Sequence, residues 1–84
     1  MKIFEFDNST EIGILTLIGE LRRDVRAVLN EALTVALESS RHVLVNLERV
    51  TSIDDACLEV FDSARERAVG LHKRIAFYGL DSGE

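Results

Sequence analysis

Two adjacent carboxylates, Asp54 and Asp55, a single cysteine, Cys57, and a scatter of serines and histidines are the side chains here that could do chemistry. Paired carboxylates occur in magnesium-dependent phosphotransfer sites, usually with a third acid and a lysine beside them. Neither helper is evident in this sequence. The same two acids suit a helix start, where exposed backbone N–H groups and the macrodipole favour each carboxylate by about 0.3–1 kcal/mol. Ser52-Ile53-Asp54-Asp55 reads as an acidic variant of the capping box, with Ser52 as the cap. Capping is therefore the favoured role, and metal-assisted phosphotransfer the sharper alternative.

The remaining candidates are weaker. A helix N-terminus would lower the thiol pKa of Cys57, but two neighbouring carboxylates oppose that and the residue falls on an apolar stripe. A structural cysteine is expected. His42 and His72 each precede a strand-like run and have no metal-spaced companion, so both read as surface residues. Ser39, Ser40, Ser52 and Ser63 show no nucleophile elbow or triad partner. Gly13 and Gly19 form no phosphate-loop or dinucleotide pattern, so no cofactor is implied.

The elements that must position Asp54 and Asp55 follow from periodicity. An apolar, branched run at residues 43–47 suits a strand with both faces covered. A polar turn over residues 48–55 then leads into a helix at about 56–69, with Cys57, Val60, Phe61, Ala64 and Ala68 on one side. The acids thus sit where a strand's carboxyl end meets a helix N-terminus, the usual place for function in open α/β sheets. Upstream, residues 2–7 read as an edge strand and residues 7–10 as a hairpin turn. Residues 11–19 form a near-continuous apolar run, as in a central strand. Residues 22–39 form the best helix: Leu21, Val25, Val28, Leu29, Ala32, Val35 and Ala36 make one stripe, and Asp24 is a candidate cap. Gly70 is a natural helix stop, residues 74–78 make a last strand, and residues 81–84 trail off as a frayed tail.

The order is β-β-α-β-α-β, an α/β chain with a mostly parallel four-stranded sheet and right-handed crossovers. Two helices cover one sheet face and leave the other bare, which points to a partner or to self-association. The chain has 84 residues, enough for a single domain over residues 1–84, and 46% of them are hydrophobic. A net charge of −5 argues against a nucleic-acid binder, and Arg22, Arg23 and Arg26 read as solvated surface. One cysteine excludes an internal disulfide, and no apolar run approaches the roughly 20 residues of a membrane span. A cytoplasmic protein is the expectation.

At this point the sequence resembles a STAS domain, the anti-sigma factor antagonist family. The matching residues are Gly19-Glu20-Leu21, the strand Val43-Leu44-Val45-Asn46-Leu47 with Glu48-Arg49-Val50 after it, and above all Ile53-Asp54-Asp55-Ala56-Cys57-Leu58. Gly70 before a basic-then-apolar strand also fits. The resemblance implies a non-catalytic module that docks a protein through its second helix and the preceding loop, in bacterial regulation of transcription or stress signalling. In switch-type members a kinase phosphorylates the hydroxyl residue two places after the motif's Asp, and only the unmodified form binds. A phosphate brings about −1.5 to −2 charges to such a surface.

This chain departs from the pattern at three positions. Ala56 stands at the phosphorylated hydroxyl, Asp55 at the preceding serine and Cys57 at the glycine. The phosphate switch cannot operate, and the module is either permanently competent or weakened by the fixed charge of Asp55. The contacting residues are expected to be Thr51, Ser52, Ile53, Asp55, Leu58, Glu59 and Asp62, and the partner a kinase-like anti-sigma factor. The resemblance also allows a subunit of an ABC-type lipid or solute transport assembly, with the ATPase as partner. The family continues into a further C-terminal helix, which this sequence lacks; a homodimer through the surface so left open is a further expectation.

Overall fold

The computed structural model describes residues 4–9 and 11–79 of the chain. The strands β1 (Phe4–Ser9), β2 (Ile12–Leu21), β3 (His42–Ile53) and β4 (Arg74–Tyr78) alternate with helices α1 (Arg26–Ser39) and α2 (Asp55–Gly70) in the expected order. The sheet order is β1-β2-β3-β4: β1 pairs antiparallel with β2, while β2–β3 and β3–β4 are parallel. The chain steps the same way across the sheet at both crossovers. Right-handed crossovers in one direction place both helices on one face. The core between helices and sheet is built from Leu15, Leu17 and Leu21 of β2, Leu29, Leu33 and Leu37 of α1, Val43 and Val45 of β3, and Cys57 and Phe61 of α2. No helix among the described residues is long and apolar enough to cross a membrane.

Several local expectations are corrected. β2 is not covered on both faces: Leu15 and Leu17 are fully buried, whereas the alternate Ile12 and Ile14 are exposed. The segment 48–53, expected as a turn, is the second half of β3. Its backbone has a ladder partner in the end of β2, with Arg49 opposite Ile18 and Ile53 opposite Leu21, across two register shifts. The hairpin turn is tighter than expected, because Asn8 and Ser9 still pair with Gly13 and Ile12.

The start of α1 is also different. A 3₁₀ turn at Arg23–Val25 precedes it, and Asp24 makes no cap. The buried stripe of α1 is Leu29, Ala32, Leu33, Ala36 and Leu37, rotated from the expected one so that Val28 and Val35 are exposed. Those two valines border an apolar groove beside Phe4 and Phe6 of β1.

α2 ends at Gly70 as expected, but the glycine is not the left-handed residue that closes it. Leu71 follows as the C-cap, and the left-handed residue is His72, at φ 59°. The amides of His72 and Lys73 donate to the carbonyls of Val69 and Ala68, at 3.1 and 2.9 Å. This is a Schellman closure with histidine at the position where glycine is the usual choice. The Lys73 ammonium donates in turn to the Leu37 carbonyl near the end of α1, tying the two helix ends together. The expected tail at 81–84 lies outside the described residues.

Candidate docking site at the start of α2

The site is assembled from four elements: the ends of β2 and β3, the 3₁₀ turn and the first turns of α2. Asp54 is the N-cap residue of α2 in extended conformation, but its side chain does not cap that helix. Its carboxylate accepts instead from the Arg23 amide, at 3.2 Å. Its own amide donates to the Leu21 carbonyl at 2.8 Å, and its carbonyl receives Cys57 N–H at 2.9 Å and Leu58 N–H at 3.1 Å. One residue thus satisfies otherwise orphaned backbone groups at both helix-forming segments. The expected capping box is therefore corrected: Ser52 lies in β3, two residues before the cap, and cannot reach the first turn. Asp55 is exposed and stands in that turn, where the macrodipole favours its charge.

The next two residues turn inward. Ala56 is only 8% exposed and Cys57 is fully buried. The Cys57 thiol donates to the Arg22 carbonyl at 3.4 Å. Burial pushes the thiol pKa up and the negative charge of Asp54 adds to that, while Arg26 acts in the opposite sense. A protonated, enclosed thiol is a packing group. Further along, Val60, Phe61 and Ala64 face the core, and the Phe61 ring lies 4.8 Å from that of Phe77 on β4.

The opposite side of α2 is open. Leu58 is 42% exposed, and Glu59 and Asp62 are exposed beside it. Thr51 and Ser52 are exposed at the end of β3, and Ile53 is half-buried against the core. Leu58, Glu59 and Asp62 share one helix face at three- and four-residue steps, one turn beyond Asp55. Among the described residues no third His, Cys, Asp or Glu joins Asp54 and Asp55 in a cluster able to hold a metal ion.

The approach of the first arginine cluster to this site was not foreseen from residue types or spacing. Arg23, Asp24 and Arg26 form one wall of an open groove of about 590 Å³, facing Glu59, Val60 and Ser63 across it. Arg22 pairs with Glu20 at 2.7 Å just outside. Residues 31 positions apart meet here through the Arg23–Asp54 bond, which no local pattern announces. The Gly19-Glu20-Leu21 segment was the available clue, because it leads directly into these residues.

The same fold recurs in known proteins. The family model described as "Mlab, STAS domain" matches residues 4–83. No curated protein sequence matches the chain. The anti-sigma factor antagonist SpoIIAA in its unphosphorylated form superposes with a TM-score of 0.80, covering 95% of this chain and 76% of its own at 16% identity. The phosphorylated Bacillus SpoIIAA gives 0.79 over 95% and 75%, also at 16% identity. An anti-sigma factor antagonist from Mycobacterium paratuberculosis gives 0.78 over 88% and 63%, at 13% identity. At such identities the likeness is one of fold.

Proposed function

The chain belongs to the Mlab-type STAS domain family, and from that premise we propose that it is a non-catalytic docking module. It binds its partner through the end of β3 and the outer face of α2, using Thr51, Ser52, Ile53, Asp55, Leu58, Glu59 and Asp62. The observation that carries this reading is the division of the α2 start. Asp54, Asp55, Leu58, Glu59 and Asp62 are open to a partner, whereas Ala56 and Cys57 are enclosed. The charged residues among these are all acids, set around one apolar anchor, Leu58, with Arg23 and Arg26 on the facing wall of the groove. Such a surface suits a partner whose own face is basic around a small hydrophobic pocket.

The partner proposed is a kinase-like anti-sigma factor, and the module is permanently competent. Asp55 sits beside the hydroxyl position rather than on it, and the helix N-terminus partly neutralises its charge. With Ala56 at that position there is no oxygen for a kinase to modify, so the surface keeps one charge state. Family membership equally supports a second reading, a STAS subunit of an ABC-type lipid or solute transport assembly, which would use the same face of α2.

Photo-cross-linking from a benzophenone side chain introduced at Leu58, in the native cell, tests both. The expected adduct joins this chain to a kinase-like protein. An adduct with an ABC-type ATPase selects the second reading, and no heterologous adduct from Leu58 overturns docking through α2.

A further inference from the structure

The sheet face turned away from α1 and α2 has no covering element among the described residues, and its side chains form a pattern. Ile14, Leu44 and Ala76 lie side by side in one ladder row across β2, β3 and β4. Ile12 and Tyr78 flank them on the neighbouring rows, and Ile12, Ile14 and Tyr78 are all exposed. The two edges of this face differ in charge. On β1, Phe4 and Phe6 pack toward the core, so the alternate Glu5 and Asp7 project from the open face. On β4, Arg74 projects from the same face, with His42 of β3 beside it in the ladder.

We propose that this face binds a second copy of the same chain, the two sheets packing face to face about a two-fold axis parallel to the strands. An axis running between β2 and β3 lays β1 of each copy over β4 of the other. Ile14 then meets Leu44 of the partner subunit, and Asp7 comes within one ladder step of Arg74 of the partner subunit. That step is about 7 Å, within an arginine's reach. The contact is made twice, once on each side of the axis.

Charge selects this arrangement over its competitors. A two-fold axis across the strands would lay β1 on β1 and oppose the acids with their own copies, which is unfavourable. A partner or lipid surface of one charge sign would match one edge and be repelled by the other. β1 and β4 flank only the first half of β2 and β3, so the face is about 500 Å² per copy. The total of about 1,000 Å² falls in the range of weak, transient interfaces. With a charge of −5 on each copy opposing association, the dimer is weak and salt-dependent. Docking at α2 uses a different surface, so neither reading depends on the other.

Sedimentation equilibrium of the full chain over a wide concentration range tests this. The expected mass rises from 9.4 kDa toward twice that value. Leu44→Glu is expected to leave a monomer with an unchanged circular dichroism spectrum. Asp7→Arg and Arg74→Asp each raise the dimer dissociation constant about tenfold, and the double reversal restores it to within about threefold. A monomer at every concentration overturns the proposal. So does a dimer indifferent to Leu44→Glu, a double variant no tighter than the single ones, or a lipid or foreign protein that co-purifies on this face.

Discussion

The two faces of the sheet are made by alternate residues of the same strands, yet they serve opposite ends. Toward the helices, Leu15, Leu17, Val43 and Val45 are buried to completion or nearly so. Away from them, Ile12, Ile14 and Tyr78 remain exposed though they are no less apolar in type. Hydrophobicity alone did not decide which face became core. Topology did, because two crossovers in one direction can cover only one side. Apolar side chains on the covered face therefore hold the fold, and those on the bare face are available for association.

The sharpest way to break this comparison is to change neighbouring positions on β2. Leu17→Ala should cost about 2–5 kcal/mol in chemical denaturation, as a large-to-small change in a closed core. Ile14→Ala should change stability much less, by about 0.5 kcal/mol, because its side chain already meets solvent. Comparable losses at the two positions would mean that both faces are covered. An effect smaller than that of Leu17→Ala, and of the opposite sign, is expected at the α2 end that closes the covered layer. His72→Gly should stabilise by about 0.5–1 kcal/mol, since glycine adopts the left-handed conformation without a Cβ clash. A destabilisation there would mean that the histidine side chain supplies something its backbone conformation does not require.

What the sequence made legible was what local periodicity encodes. The order of elements and the buried side of α2 were readable because Cys57, Val60, Phe61, Ala64 and Ala68 repeat at helical spacing. The bare sheet face was readable too, by counting helices against faces. The covering of β2 was not, because a run of Ile and Leu reads the same whether one face or two is buried. The second half of β3 was hidden by polar residues, which form a strand only because the end of β2 supplies a ladder. Glycine at position 70 correctly marked the end of α2, but not that the left-handed residue closing it would be His72, two positions on.

At the candidate site the same division holds. The placement of Asp54 and Asp55 at a helix start was readable from residue types, as was the lack of a hydroxyl at position 56. Which helix Asp54 serves was not. Its carboxylate turns from α2 to the Arg23 amide, a choice set by how β2 and β3 end side by side. The contrast with the bare sheet face is chemical. The outer face of α2 displays the acids Asp55, Glu59 and Asp62 around Leu58, with Arg23 and Arg26 across the groove. The sheet face carries opposite charges on its two edges, suited to its own copy.

The measurement that bears most directly on the docking account is the affinity of the Asp55→Asn variant for the protein cross-linked at Leu58, compared with the unaltered chain. A permanently competent acidic surface predicts equal or weaker binding, weaker by up to about tenfold as salt is lowered and the lost charge counts more. Tighter binding by Asp55→Asn would contradict it, because Asp55 would then be acting as a fixed imitation of phosphate that holds the partner off.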